Sequence, residues 1–506
     1  MLVEHTLLRP HGDELLFGHA LIRDTVYATL LRSRRRELHK QAALWFSERD
    51  LGLHAEHLEL AEDSSAPQAY LAAAKAEATR YRYEQALVLV RRAASLARDP
   101  QDHFLSACYR GELQHDIGEV AEARSAYEEA LGYSQNDADR CRVWLGTAAV
   151  KRVTDDVQGA LADIERAEDS AKRLSLTGEA ARAHFLHGNL LFPSGDVEGC
   201  LREHRCSLDL AREAGSAELE AAALGGVGDA EYARGRMLSA RKNFSDCIEL
   251  ARRHGFGRIE VANLPMLAFM HFFVGETRPA LAQALAAIDM ATKVGHRRAQ
   301  AIAHHAAYNT RHSLGQYAAA QANVDAALEL ARQLKSRRFE AEALAFGAEL
   351  SRLAGRRSEA LAAIREALVI SAETGMAYFG PIYYGILALI EDTRELRKKA
   401  LSEGEALLAG NAVSHNHLLF RRDAIEVSRL LGEWDEMERH AAALEDFVRP
   451  EPLPWTDFMI ARARAFAAFG RGRYDPQLEH ELQRLQIEGD RLGICLPGVS
   501  KIVPSG

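Results

Sequence analysis

The sequence predicts an all-α solenoid of helical hairpins repeating with a period of forty residues. Three observations predict it. Glycines stand forty residues apart at Gly195, Gly235, Gly275, Gly315 and Gly355. A second series, Gly215, Gly255, Gly295 and Gly375, falls midway and is interrupted where Lys335 stands. Between the two series lie apolar-periodic stretches of roughly fifteen to twenty residues, enough for four or five helical turns. A glycine after such a stretch takes the left-handed conformation that closes a helix and lets the chain reverse. Each period therefore reads as helix, tight turn, helix, tight turn.

The second helix of each period has a spacing of its own. A small residue, a bulky residue and another small residue recur at steps of four and three: Ala160, Ile164, Ala167; Ala240, Phe244, Cys247; Ala320, Val324, Ala327; Ala360, Ile364, Ala367. These steps return to one helix face. The small residues let two helices approach closely, and the bulky one fills the gap between them. The same pattern appears at Ala86, Val90, Ala93 and at Ala123, Tyr127, Ala130, with weaker versions at Cys200, Ala400, Met437 and Gln477. Eleven candidate hairpins result.

This pattern resembles the tetratricopeptide repeat (TPR), whose second helix ends A-x3-F-x2-A. Gly111, Gly188 and Gly228 stand where that family places a small residue in the first helix, and Trp144 where it places tryptophan. The period here exceeds the family's usual length of about thirty-four residues, and the closing proline is mostly absent. The resemblance covers residues from about 66 to 485 and implies a right-handed superhelical solenoid of TPR-like hairpins.

Composition narrows the function. Hydrophobic residues make up 47% of the chain, much of that alanine, as close helix packing requires. A net charge of −9 argues against a nucleic-acid surface across the whole molecule. Six cysteines, at 108, 141, 200, 206, 247 and 495, form no CxxC pair and read as small helical residues in a reducing compartment. No run of eighteen apolar residues lacks a charge, so no membrane span is expected. Glu4 and Arg9 interrupt the short apolar start, which argues against a signal peptide and for the cytoplasm.

Residues 1–18 differ from the rest. Leu7 to Pro10, then His11-Gly12-Asp13, then Glu14 to Phe17 read as a short β-hairpin, followed by a helix from about His19 to Leu31 and a basic one from about Ser33 to Arg49. The stretch from Phe17 to Tyr27, with Leu30-Leu31, Arg34-Arg35-Arg36-Glu37-Leu38-His39 and His54-Ala55-Glu56-His57-Leu58, resembles a recurrent segment of the signal-transduction ATPases with numerous domains (STAND). That group includes ATPase-linked adenylate cyclases and large transcriptional activators. In it the segment closes a winged-helix domain and leads into TPR-like repeats. No GxxxxGK[ST] phosphate loop occurs in the chain, so the family's nucleotide-binding core is not represented. The expected organisation is a winged-helix remnant with connecting helices over 1–62, a TPR-like array over 63–489 and a loose tail over 490–506. Pro450-Glu451-Pro452-Leu453-Pro454 is the stiff interruption between the last two hairpins.

A hairpin solenoid exposes a concave wall built from its first helices. Stepping by forty along that helix gives Phe192, Tyr232, Phe272 and His312, and three positions earlier Asn189, Asp229, Phe269 and Asn309. Residues three apart are neighbours on a helix, so the two rows run side by side. Rings beside amides and carboxylates suit an extended peptide, with rings taking apolar side chains and amides taking backbone bonds. The other reading has the rings packing between successive repeats as core. His184 and His187 lie one turn apart, with His204 in the paired helix and His304-His305 further on; Cys200 and Cys206 lie near in sequence, but Cys206 should point away from Cys200 on a helix, so no metal and no cofactor are expected. The run Arg32-Ser33-Arg34-Arg35-Arg36 lacks interleaved aromatics and reads as a solvated face or the contact of a neighbouring domain. No catalytic motif stands out.

The resulting expectation is a non-catalytic arm that binds a protein or peptide in its groove and regulates an ATPase-linked output, with a separate NTPase or cyclase module as partner. Two alternatives stand beside it: a free-standing TPR adaptor, and a small-molecule sensor.

Overall fold

A computed structural model describes residues 7–11, 14–154, 156–410 and 412–495. These fall into two compact units, one holding residues up to 115 plus 121–135, the other 116–120 plus 136 onward. In the first unit, β1 (Leu8–His11) pairs antiparallel with β2 (Glu14–Phe17), Leu8 facing Phe17. The predicted turn residues Gly12 and Asp13 lie outside the described residues. Then come α1 (Ala20–Thr29), α2 (Arg32–Phe46) and α3 (Leu51–Leu60). Two hairpins follow: α4 (Ala66–Thr79) with α5 (Tyr83–Leu96), and α6 (Pro100–Ile117) with α7 (Val120–Tyr133).

The second unit continues with nine more hairpins. They are α8 (Asp137–Val153) with α9 (Val157–Leu174), α10 (Thr177–Ser194) with α11 (Val197–Glu213), and α12 (Ala217–Ala233) with α13 (Met237–His254). Next are α14 (Gly257–Phe273) with α15 (Thr277–Lys293), α16 (Arg297–Ser313) with α17 (Tyr317–Gln333), and α18 (Arg337–Leu353) with α19 (Arg357–Thr374). The last are α20 (Gly380–Ile390) with α21 (Arg394–Leu408), α22 (Asn416–Leu431) with α23 (Trp434–Val448), and α24 (Pro454–Gly470) with α25 (Pro476–Leu492). From α4 onward the described chain thus holds the eleven hairpins expected; within the second unit each helix packs on the next, and first helices of successive hairpins such as α10, α12, α14 and α16 also touch. The fold is a superhelical solenoid of TPR-like repeats.

The small–bulky–small pattern is the packing seam. Ala240, Phe244 and Cys247 are fully buried, as are Ala160, Ala167, Ala320, Ala327, Ala360 and Ala367. In some hairpins the bulky middle residue lies against a glycine of the first helix. A Cβ on Gly228 would sit 2.8 Å from Phe244, and one on Gly111 would sit 3.0 Å from Tyr127. In α11 that slot belongs to His204, which meets Gly188. Burying such a side chain stabilises the pair by ~1.5–3 kcal/mol, and only glycine leaves the space for it.

The comb glycines at 195, 215, 235, 255, 275, 295, 315 and 355 all have φ between +66° and +86°. Lys335, the gap in the comb, takes φ +53°, and Ser175, one period before Gly215, takes φ +54°. The Ser336 N–H donates to the Ala331 carbonyl at 2.9 Å, so the reversal is closed by the same bond found after glycine in the other repeats.

The array also closes on itself within the second unit. Thr277 Oγ1 donates to the Leu492 carbonyl, and Ser313 Oγ donates to the Gly493 carbonyl at 3.1 Å. The Leu238 N–H, the Ser239 N–H and the Ser239 hydroxyl all donate to the Glu451 carboxylate, at 2.5, 3.2 and 2.6 Å. That carboxylate caps the first turn of α13, where free N–H groups and the helix dipole favour negative charge. Arg236 Nη1 donates to the Phe447 carbonyl at 3.1 Å. These partners lie between 180 and 215 residues further along the chain, so hairpins about five periods apart touch along the superhelix. The end of the chain takes part: the Cys495 N–H donates to the Ser313 carbonyl at 2.7 Å, so residues 490–495 are held rather than loose, and 496–506 lie outside the described residues.

Gly235 and Gly255 share a left-handed φ, +73° and +75°, but a Cβ on Gly235 would enter the Phe447 ring while one on Gly255 meets nothing within 4 Å. Gly255→Ala is expected to lose about 1 kcal/mol for the backbone alone. Gly235→Ala should lose a further ~1–3 kcal/mol as the contact is overpacked. Denaturant midpoints of the two variants check this; equal losses would show that the closure contributes nothing.

Candidate functional site

The two predicted rows on the first helices are treated differently by the fold. Of the ring row, Tyr232 and Phe272 are buried and Phe192 is half-buried. Their partners come from the later hairpins. Phe192 meets Tyr378 edge-on at 5.9 Å, Tyr232 stacks on His415 at 4.7 Å, and Phe272 lies 6.2 Å from Trp455. The rings therefore pack between distant hairpins, and the later part of the array occupies that strip of the first helices. His312 at the end of the row faces Glu349, its Nε2 lying 3.3 Å from Glu349 Oε1.

The row three positions earlier keeps its polar members partly open. Asn189, Asp229 and Asn309 are half-buried, whereas Phe269 joins the core. Asp229 is the most perturbed of them. Desolvation pushes its carboxyl up to about 6, while the charges of Arg298 and Arg152 pull it down. Desolvation and the Asp229 charge also raise two thiols, Cys200 and Cys247, the latter to about 12, which leaves both as neutral packing groups. The phenol of Tyr378, raised chiefly by burial, is within electrostatic reach of Glu342, Arg338, Arg298 and Asp229. These groups belong to α12, α16, α18 and the link before α20, so the turns of four elements face one polar patch. The Glu342 carboxylate is in turn held by His305, with Nδ1 to Oε1 at 3.1 Å.

A second ionic knot sits beside it. Burial works to raise the Glu349 carboxyl, but His312, Arg422 and Arg352 outweigh it and hold it below the usual range. Arg422 also bridges to Asp423 at 2.7 Å. Removing one partner from such a buried set leaves an uncompensated charge, a cost of about 3–5 kcal/mol. This knot anchors α16 and α18 to α22.

The arrangement offers both signs of charge and two side-chain amides along a row of first helices. That suits carboxamide and amide groups of an extended ligand, with Asp229 able to face a cation and Arg298 an anion. The forty-residue step that located Asp229 also relates Arg258, Arg298 and Arg338, so the arginines were within reach of the sequence. Tyr378 was not, because it lies in an irregular link outside the glycine comb. The other predicted candidates are accounted for locally. His204 is a core residue, His304 bonds Asn323 at 2.9 Å, and in the basic run Arg34 pairs with Glu37 at 2.8 Å while Arg36 donates to the Ala61 carbonyl at 2.9 Å. Among the described residues, no helix is long and apolar enough to cross a membrane.

This is the fold class of TPR-like helical-repeat proteins. No protein-family model matches the chain, and no curated protein matches it in sequence. Among solved structures, a Rap protein complexed with competence and sporulation factor matches 76% of this chain and 99% of its own, with a TM-score of 0.50 at 14% identity. A STAND protein with a tetratricopeptide-repeat sensor from Pyrococcus horikoshii matches 81% of this chain and 58% of its own, with a TM-score of 0.47 at 12% identity. The apo quorum sensor NprR from B. thuringiensis matches 68% and 97%, with a TM-score of 0.46 at 14% identity. At these identities the first likeness is one of fold.

His415 gives the closure a pH dependence. Burial pushes its ring down to about 3, with the His417 charge adding to the effect. Between that value and the ordinary one near 6.5, the unfolded chain binds a proton that the folded chain refuses, so stability falls as pH is lowered through this window. The slope is about 1.4 kcal/mol per pH unit for each such histidine. His415→Phe, which keeps a ring against Tyr232, should flatten the fall in melting temperature between pH 6 and pH 4.5. An unchanged profile would mean that His415 is protonated without cost.

Proposed function

We propose that this chain is a non-catalytic recognition arm that binds an extended peptide along its first helices and regulates an ATPase-linked signalling or transcriptional output. The observation that carries the reading is the split between the two rows: the rings are sealed by the chain's own later hairpins, while Asn189, Asp229 and Asn309 stay half-buried, Asp229 within electrostatic reach of Arg298 and Arg152. A desolvated carboxylate with a displaced pKa among convergent polar groups is a candidate binding site. The Rap likeness in fold fits a ligand-binding array, because that protein was solved complexed with competence and sporulation factor.

The ATPase link rests on the first unit. Helix α1 buries none of its residues, and Leu21 is 69%, Leu31 76% and Leu44 76% exposed. Apolar surface of this extent is normally covered by a partner. In this reading residues 1–62 are the remnant of a winged-helix domain, and a separate NTPase or cyclase module covers them. The adaptor and small-molecule readings share the array but leave this surface without a purpose.

Selection from a displayed library of random peptides, followed by fluorescence anisotropy with the winning sequence, tests the groove. Asn189→Ala with Asn309→Ala should weaken binding by about tenfold to a hundredfold, since each lost hydrogen bond contributes ~0.5–1.5 kcal/mol, with the melting curve unchanged. Undiminished affinity would sink the groove. For the ATPase link, a chain carrying a phosphate loop should co-purify from native lysate and be lost with Leu21→Asp and Leu44→Asp.

A further inference from the structure

Two histidines and two carboxylates from three consecutive helices converge away from the groove residues discussed above. Helix α10 presents His184 and His187 one turn apart on the same face. Helix α11 brings Glu203 and helix α9 brings Glu168. His184 Nδ1 lies 2.7 Å from Glu203 Oε2, and His187 Nδ1 lies 3.5 Å from the same oxygen and 3.9 Å from Glu168 Oε1. One donor atom each from Glu168, His184 and Glu203 lie within 4.8 Å of one another.

We propose that Glu168, His184, His187 and Glu203 form a site for a divalent transition-metal ion of the zinc type. Imidazole with carboxylate is a donor set that such ions take, at bond lengths of about 2.0–2.2 Å. A tetrahedral ion at those lengths sets its donor atoms roughly 3.4 Å apart. The 3.5 Å contact of His187 already matches that spacing, and its 3.9 Å contact with Glu168 would have to close by about 0.5 Å. The His184–Glu203 pair is a hydrogen bond whose proton leaves to solvent when the metal takes its place, and the pair then opens by well under 1 Å. Glu168 Oε1 supplies an independent sign: it is buried, and no hydrogen-bond partner reaches it among the described residues. A carboxylate oxygen in that position lacks the compensation that burial demands, and a cation would provide it. The side chains are between 21% and 32% exposed, so an ion has a path from water.

Such an ion would tie α9, α10 and α11 together across two successive hairpins. Asn189 stands two residues beyond His187 on α10, so the metal would also fix the helix that presents it. His204 takes no part, being buried against Gly188 and Gly226.

The full chain, stripped with chelator and titrated with zinc by calorimetry, tests this. One ion should bind per chain and raise the melting temperature, and cobalt in its place should give visible d–d absorption without a thiolate band in the near ultraviolet. His184→Gln with His187→Gln should weaken binding by at least about tenfold. Glu168→Gln should weaken it as well and is the variant to use if the double one fails to fold. Absence of binding, undiminished affinity in these variants, or a thiolate band pointing to Cys206 or Cys495 would each overturn the assignment.

Discussion

The cap that Glu451 places on α13 joins residues more than two hundred positions apart, and much of the molecule's behaviour follows from contacts of that kind. A repeat array held only by contacts between neighbours behaves almost as a one-dimensional object, free to open at either end. Here the later hairpins press onto the ends of the earlier first helices, through Phe447 at Gly235, Leu492 at Gly275 and Trp455 at Phe272. Each contact requires a particular local feature to be in place. At Gly235 and Gly275 that feature is a missing side chain. At Glu451 it is the set of unpaired N–H groups that begins a helix.

The same closure determines what the inner wall can do chemically. Once Tyr232 and Phe272 are spent on packing against His415 and Trp455, they no longer offer open faces to a ligand. Asp229 is left enclosed but incompletely paired, and desolvation lifts its carboxyl. The half-buried amides of Asn189 and Asn309 stand at the same phase on two other first helices, α10 and α16. Polar groups near an apolar seal interact more strongly than in open water, because the surroundings polarise less.

The hairpins were legible because their signals are local. The comb glycines act on their own φ, and the triplet at Ala240, Phe244 and Cys247 acts on a helix next in sequence. Even the missing tooth obeyed the rule: Lys335 adopts the left-handed conformation because the two helices around it leave the chain no other way to turn. The candidate rows were legible as positions and not as environments. Periodicity placed Tyr232 and Asp229 on the same side of α12, and nothing in that periodicity said that one would be buried against His415 and the other left half open. His204 shows the limit from the opposite direction. A histidine near other histidines suggested a ligand, yet it fills the slot that phenylalanine fills in α13, and the carboxylates facing His184 and His187 come instead from α9 and α11.

The sequence by itself determined the order of helices, their reversals and the small–bulky–small seam, since each depends on residues within about forty positions of one another. Tertiary structure alone decided which face of the first helices stays accessible and which hairpins meet across the superhelix. The rotation from one hairpin to the next is small, and only its accumulation over about five of them brings Tyr378, His415 and Trp455 onto the rings of the earlier repeats. No short-range pattern encodes a sum of that length.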